Sequence, residues 1–400
     1  VKILILSNRV PFPQNGGYPI VVRNTILGLV NEGHEVSVFT LNNKKQLTDI
    51  QTNDELINRI HYQSYDIDIS ISAWDIFINL FRKKTYSIDR FYDIGFERLL
   101  ITELKQKKYD IIQFEGLFMS SYVAAIRKNS TAKLIYRAHN IEHLIWQRLS
   151  EQKNDPFKKT YLSLLAKRIK TFELMYLESF DAIAALTQQD KQQMLKFGTQ
   201  IPIRVLPVGI DISRYKPDYN KTEFPSLFFL GALDWMPNRE GMEWFLENFS
   251  TELTEGDLRV KFYVAGHNIP DDFDDYQVLG KIFIQGEVDD ALEFVNSKAI
   301  MIVPLLSGGG MRVKIVEAMA MQKCIITTSL GAEGLRYQHG YNILIADNRN
   351  EFHDAIKRCI ADEAFCKEIG DNARKLIETD HDMNVVTAQF IKFYKELIKA

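Results

Sequence analysis

The stretch that decides how this chain is read is Ser307–Leu335, SGGGMRVKIVEAMAMQKCIITTSLGAEGL. Strand-like residues Ala299–Pro304 precede it, so Gly308, Gly309 and Gly310 fall at the carboxyl end of a strand, where ligands bind in open α/β sheets. Without β-carbons, their amides approach a ligand closely and point at an anion. The spacing predicts a helix from Met311, and a helix N-terminus adds partial positive charge to the same spot. Arg312 and Lys314 add full charges, which together is the logic of a diphosphate cradle. Glu317, ahead of Ala318, Met319 and Ala320, places an acid in an apolar helical stretch, and a carboxylate that accepts two hydrogen bonds suits a ribose diol. The plainer alternative is a flexible glycine turn with Glu317 as an exposed partner of Lys314 one turn away. Lys314 is not followed by Ser or Thr, and the glycines do not follow GxGxxG, so P-loop and dehydrogenase readings are excluded.

Outward from this stretch, strands and helices alternate along the whole chain. Ile3–Leu6 suits a buried parallel strand, and a proline- and glycine-bearing loop with Gly16 and Gly17 follows. Helical spacing through Ile20, Val21, Ile26, Leu27 and Val30 leads to Gly33 and a strand at Glu35–Thr40. Strands are predicted at Asp110–Phe114, Lys133–Arg137 and Ala182–Leu186. A helix is predicted over Asp155–Ser179, with Leu162, Leu165, Ile169, Phe172 and Met175 on its apolar side. Pro202, Pro207, Pro217 and Pro225 mark a change of character. The pattern restarts with strands at Leu227–Leu230, Lys261–Ala265, Ile282–Gln285, Ala299–Pro304 and Cys324–Thr328, and with a helix at Arg239–Phe249 after a turn at Pro237 and Asn238. The expected architecture is α/β, with two Rossmann-like doubly wound domains facing across a cleft. The expected boundaries are 1–205, a linker at 206–225, a second domain at 226–381 and a closing helix at 382–400, with Val386, Phe390, Phe393 and Leu397 on one face.

Composition bounds the function. At 400 residues, 46% apolar and 25% charged, the chain has material for two cores. A net charge of −3 gives no global footprint for nucleic acid. Cys324, Cys359 and Cys366 are an odd number without the spacing of a metal-ligand pair, which fits a reducing compartment. No apolar run reaches the ~18 residues of a spanning helix, and VKILIL reads as a strand rather than a signal peptide. A cytoplasmic protein is expected, with at most peripheral contact at the inner membrane face. Trp74–Lys84 and the Lys158–Lys170 helix mix aromatics and cations as such contact requires, or are ordinary amphipathic segments. The acids of Asp271–Asp275 read as a solvated loop face, and no metal is expected there.

The residues of Gly308–Leu335 resemble the glycosyltransferase family 4 group of GT-B enzymes, especially bacterial sugar transferases with a GGGxRxKxxEAxAxxxxxxxTxxGxEGL run. The resemblance extends through the Gly16-Gly17 loop, GHEVSVF at Gly33–Phe39, RAHNIE at Arg137–Glu142, LPVGID at Leu206–Asp211, GALDWMPN at Gly231–Asn238 and FYVAG at Phe262–Gly266. It implies that the C-terminal half binds a nucleoside-diphosphate sugar, with Glu317 on the ribose, Arg312 and Lys314 on the diphosphate, and Gly286 to Val288 at the base. It implies an acceptor-side N-terminal half, with His139 facing the donor sugar and Gly16 and Gly17 approaching phosphates or acceptor. The implied activity is metal-independent transfer without a cofactor and with retention of configuration, by front-face attack in which the leaving phosphate assists deprotonation. UDP is the default nucleotide, with GDP next. The acceptor class is a saccharide or polyprenyl-linked sugar in polysaccharide or glycolipid synthesis.

Two departures stand out. Gly309 occupies the place eight positions before Glu317 where many relatives carry a first glutamate, and Gly231–Asp234 stands where many carry an Arg or Lys pair. Arg312 and Lys314 are therefore expected to take over phosphate neutralisation. The competing readings are a nucleotide-sugar 2-epimerase-like enzyme or a phosphorylase on similar paired domains, and a nucleotide-sugar binding protein without turnover.

Overall fold

The computed structural model describes residues 1–13, 16–44, 54–70, 86–152 and 155–399; the Trp74–Lys84 segment lies outside them. The chain divides into two compact units, Val1–Gly209 with Met383–Ala400, and Ile210–Asp382.

In unit 1 the described strands are β1 (Lys2–Ser7), β2 (Glu35–Asn43), β3 (His61–Ile67), β4 (Ile111–Glu115), β5 (Lys133–Ala138), β6 (Ala182–Ala185) and β7 (Ile203–Val205). They form one parallel sheet in the order β3-β2-β1-β4-β5-β6-β7. Ile3, Leu4, Ile5 and Leu6 are fully buried, as an apolar run sandwiched between helix layers must be. Between and beyond the strands lie α1 (Gly17–Asn31), α2 (Tyr86–Asp89), α3 (Ile94–Gln106), α4 (Val123–Asn129), α5 (Glu142–Gln152), α6 (Pro156–Leu177) and α7 (Gln188–Lys196). Asp93 starts α3 by accepting the amides of Gly95 and Phe96, and Asp155 does the same for α6 ahead of Pro156 at its first turn.

The apolar side of α6 differs from the sequence expectation. Its buried stripe is Leu165, Ala166, Ile169, Glu173 and Leu177, while Met175 is exposed. Glu173 is tolerated inside because its side chain meets His143 Nδ1 at 2.5 Å, and a buried polar group with a hydrogen-bond partner can replace an apolar contact that periodicity alone would demand.

In unit 2, β8 (Glu223–Leu230), β9 (Lys261–Ala265), β10 (Ile282–Gly286), β11 (Lys298–Val303), β12 (Cys324–Thr327) and β13 (Leu344–Ile345) form a parallel sheet in the order β10-β9-β8-β11-β12-β13. Its helices include α8 (Met236–Thr254), α9 (Ala291–Asn296), α10 (Val313–Ala320), α11 (Arg349–Ala361) and α12 (Glu363–Asp380). The expected turn at Pro237 and Asn238 is the first turn of α8 instead, because a proline at the start of a helix loses no intrahelical bond. The helix expected from Met311 begins at Val313, with Arg312 at its N-cap.

The last helix, α13 (Met383–Lys399), belongs to unit 1. Val386, Phe390, Phe393 and Leu397 are buried as its spacing predicts, in one cluster with Val22, Ile26 and Leu29 of α1. Each fully buried side chain of this size contributes roughly 1.5–3 kcal/mol. The two helices approach so closely that a β-carbon on Gly28 would lie 2.0 Å from Thr387 Oγ1.

Candidate functional site

Both sheets place the reversal of strand order next to their first strand, between β1 and β4 in unit 1 and between β8 and β11 in unit 2. The crevice at the carboxyl ends of such a strand pair is where doubly wound sheets hold ligands.

In unit 2 the crevice is lined by glycines. Gly231 follows β8, and a β-carbon there would lie 3.2 Å from Lys314 Nζ, from Asn238 Nδ2 and from the ring of Phe229. Gly266 follows β9 with φ 146°, and its β-carbon would strike Gly231 O at 2.0 Å, so both backbones meet without side chains. Gly286, with φ 69°, ends β10 and accepts the Gly266 amide through its carbonyl at 2.8 Å, while Val288 is half-buried two residues on. After β11, Gly308 and Gly310 take φ 100° and 76°, which no other residue type adopts readily. Gly309 keeps an ordinary backbone, and its carbonyl accepts Arg312 Nη1 at 2.7 Å.

These turns deliver the chain to α10. Its first turn carries no acidic residue and its N-cap makes no side-chain cap hydrogen bond, so no side chain of the helix itself offsets the partial positive charge of its start. Lys314 donates to Asn238 Oδ1 at 2.8 Å, and its ammonium sits 4.2 Å from the centroid of the Phe229 ring. Burial first, and the neighbouring Arg312 charge second, hold the Lys314 amine well below its ordinary range. Glu317, one turn on, accepts Tyr215 O–H at 2.7 Å through Oε1. Burial pushes its carboxyl up, against the Tyr215 bond and the Arg214 charge. The glycine loop, Arg312, Lys314 and Glu317 are thus brought together, and the alternative of Glu317 as a mere surface partner of Lys314 falls, since its partner is Tyr215. Sequence reasoning missed Tyr215 and Asn238.

In unit 1 the crevice has a different chemistry. His139 follows β5, and its Nε2 lies 2.6 Å from Oε2 of Glu115, the last residue of β4. The other carboxylate oxygen accepts Gln113 Nε2 at 2.5 Å, and Gln113 in turn accepts Tyr394 O–H of α13 at 2.5 Å. Arg137 is fully buried beside them, donating to Pro207 O at 3.2 Å with its guanidinium 4.4 Å from the Phe390 ring centroid. Among the described residues its Nε and Nη1 have no hydrogen-bond partner. Burial opposes ionisation of Glu115, but the His139 bond and charge, Arg137 and Gln113 outweigh it and hold the carboxyl below its usual range.

Gly16, with φ 100° and open space where a β-carbon would stand, caps α1, and Gly17 opens the helix. Tyr18 then reaches back: its ring lies 4.7 Å from that of His139, and its hydroxyl meets Ser7 Oγ at 2.9 Å and Glu115 O at 3.1 Å. The Arg9 guanidinium lies 5.9 Å from the centroid of the same ring. The glycine loop and His139 are therefore joined through Tyr18. Glu142, at the start of α5, completes the edge of the cluster; burial and then the Glu173 charge raise its carboxyl to about 7, with Arg9 and Asn140 opposing.

Among the described residues, no helix is long and apolar enough to cross a membrane.

Comparisons with known proteins follow the same division. Residues 15–214 match the model described as Glycosyltransferase Family 4, and residues 224–362 match that of Glycosyl transferases group 1. A Klebsiella pneumoniae protein known as the uncharacterized 44.6 kDa protein in the cps region is 24% identical over 403 residues, covering 98% of this chain and 99% of that one. Sucrose-phosphate synthase from Thermosynechococcus elongatus superposes with a TM-score of 0.76 at 15% identity over 100% of both chains. Anabaena HepE in complex with UDP gives 0.68 at 15% identity over 99% and 100%. TarM gives 0.69 at 12% identity over 98% of each.

Proposed function

Because this chain belongs to glycosyltransferase family 4 and has the paired-Rossmann GT-B fold, we propose that it transfers a sugar from a UDP-sugar to a saccharide or polyprenyl-linked acceptor, with retention of configuration. The observation that carries the donor assignment is the unit 2 crevice: glycine turns and the start of α10 with Arg312 precede Lys314, which stands within one helical turn of a carboxylate held by Tyr215.

In this reading the diphosphate lies on the amides of Gly308–Gly310 and the start of α10. Lys314 exchanges its Asn238 contact for a phosphate oxygen, and the arriving anion favours the charged amine. Glu317 keeps Oε1 on Tyr215 and offers Oε2 to a ribose hydroxyl. The backbone from Gly286 to Val288 meets the base. As the sugar–phosphate bond breaks, negative charge grows on the leaving diphosphate, and preorganised amides with Arg312 and Lys314 stabilise it. The chemistry is supplied without a metal.

His139 of unit 1, with its ring fixed by Glu115 and Tyr18, hydrogen-bonds the donor sugar, and the Gly16–Gly17 turn leaves room for acceptor or phosphate. The UDP choice is supported by the HepE structures, which hold UDP and UDP-glucose. A role in capsular or related polysaccharide synthesis is supported by the location of the Klebsiella relative in a cps region. We further assign the protein to the cytoplasmic side, with peripheral contact through Phe157, which is 88% exposed, and the exposed Lys158 and Lys159 beside it. Binding to anionic vesicles at low salt, lost at high salt, checks this contact.

The primary test is calorimetric titration with UDP, GDP, dTDP, ADP and CMP of wild type and Glu317→Ala. Selective UDP binding that the variant loses supports the reading; equal binding by both proteins overturns it. Sugar transfer by wild type that disappears in His139→Ala excludes a binding protein without turnover.

A further inference from the structure

We infer that unit 2 contains a three-thiolate centre for one soft cation of the copper(I) class, formed by Cys324, Cys359 and Cys366. Their spacing in sequence gives no hint of this, yet the fold brings all three of the chain's cysteines together. Cys324 opens β12, Cys359 lies in α11 and Cys366 in α12. The three sulfurs lie within 4.8 Å of one another, and Cys324 Sγ is 3.7 Å from Cys359 Sγ. A trigonal ion with metal–sulfur bonds of ~2.3 Å requires sulfurs ~4.0 Å apart, so rotamer adjustments of a few tenths of an ångström close the site.

Buried thiols often serve as small apolar side chains, and these three do sit in the unit 2 core. Two features go beyond that role. First, the thiol of Cys366 is directed at Cys359 O, 3.2 Å away, and Cys359 Sγ lies 3.7 Å from Cys324 Sγ, so the three thiols form one connected group. Second, Cys324 and Cys366 line a cavity of about 20 Å³, room for one water-sized species, together with Lys323 and Lys367. Lys323 is itself buried, donating to Asn296 O at 3.0 Å and Thr222 Oγ1 at 3.2 Å, and Glu363 lines the same cavity. The cavity reaches two of the three sulfurs.

Coordination number selects the ion. Thiolates favour copper(I) and zinc, but structural zinc is almost always four-coordinate. Among the described residues no fourth Cys, His, Asp or Glu joins this group, which leaves a three-coordinate thiophilic ion. Binding replaces three S–H bonds by three metal–sulfur bonds and releases the protons to solvent; no electron is transferred. The ion would tie β12 to α11 and α12, and α12 carries Arg374, which holds Tyr215 O at 2.9 Å and the Ala320 carbonyl at the end of α10.

The test uses the full chain, reduced, stripped of metal and kept anaerobic, titrated with copper(I) against a chromophoric copper(I) chelator. One equivalent should leave the chelator, and X-ray absorption of the loaded wild type should count three sulfur neighbours at ~2.3 Å. Cys366→Ser should weaken binding by about 100-fold or more. Failure of copper to transfer, fewer than three sulfurs around the ion, or unchanged affinity in Cys366→Ser each overturns the proposal. If the variant proves unstable, the sulfur count on wild type decides alone.

Discussion

At the unit 1 crevice, the charged groups at the centre answer one another inside the protein: Glu115 binds His139 and Gln113, Tyr394 closes the chain of hydrogen bonds from α13, and Arg137 lies buried against Phe390. At the unit 2 crevice, on a sheet with the same reversal of strand order, Lys314 leans on a neutral amide, Glu317 on a phenol, and a helix start has no side-chain cap. Equal topology therefore carries two kinds of electrostatics. A carboxylate held by several buried partners rigidifies its surroundings and is costly to break, whereas a lysine resting on a neutral amide is ready to exchange it for an anion.

The largest expected effect breaks the first half of that comparison. Glu115→Gln leaves buried Arg137 without its nearby carboxylate and should cost on the order of 3 kcal/mol of stability, because removing one member of a buried ionic group strands the other. Denaturant unfolding of wild type and variant measures it, and a loss below ~1 kcal/mol means the network is not tightly coupled. His139→Ala should leave nucleotide affinity intact while lowering kcat by roughly 100-fold or more. A change in KM alone would confine His139 to binding.

Glu317→Ala tests the other half. Its carboxyl is disfavoured by burial, so removing it should leave the melting temperature unchanged or slightly higher, while UDP affinity falls by about 100-fold with the lost charge-assisted bond. A variant that loses stability as much as affinity would make the unit 2 carboxylate as much a structural group as Glu115 of unit 1 and erase the contrast.

What was legible in the sequence was backbone logic. Apolar runs ending in glycine gave the strands and their ligand-bearing ends, and the spacing of Val386, Phe390, Phe393 and Leu397 gave the buried face of α13. Side-chain partners were not legible, because they come from remote segments: Tyr215 is 102 residues from Glu317, and Asn238 is 76 from Lys314. One signal was present and unused. In the buried strand Ile111–Glu115, Gln113 and Glu115 alternate and so share a face, and two polar residues facing one way from a buried strand announce a polar network. Met175 shows the converse: helical spacing assigned it to the apolar side, whereas the fold exposes it and turns Glu173 inward onto His143.

A smaller effect belongs to the edge of unit 1. Glu142 is raised to about 7 by burial and then by Glu173, against Arg9 and Asn140. Its folded pKa lies above the unfolded value of ~4.3, so its contribution to stability is full below that value and is lost as pH rises through 7. Wild type should lose on the order of 2 kcal/mol between pH 5.5 and 8 through this group, and Glu142→Gln should remove that slope. Carboxyls held down by ion pairs, such as Glu223 and Asp257 at about 2, stay ionised across this window and do not mask it. Equal slopes in both proteins would remove Glu142 from the buried cluster.

The smallest effect sharpens the comparison most, because it concerns only how unit 2 exchanges its partners. A UDP-sugar, whose diphosphate is esterified at both ends, does not titrate its phosphates near neutrality, so the pH dependence of its affinity reports protein groups. Glu317, raised by burial, accepts a ribose hydroxyl only when ionised, and affinity should fall as pH drops through its elevated range. Lys314, lowered by burial and Arg312, must be charged to meet phosphate, and affinity should fall again as pH rises above its depressed range. The profile is then a bell whose limbs change by a few-fold per pH unit, with proton uptake on the basic side visible as a dependence of the binding heat on buffer ionisation enthalpy. Glu317→Gln should flatten the acid limb alone, and Lys314→Arg, whose guanidinium stays charged, the basic limb alone. A flat wild-type profile would mean that both groups meet the ligand in their ordinary ionisation states, and the unit 2 crevice would then differ from that of unit 1 in composition but not in readiness to recharge.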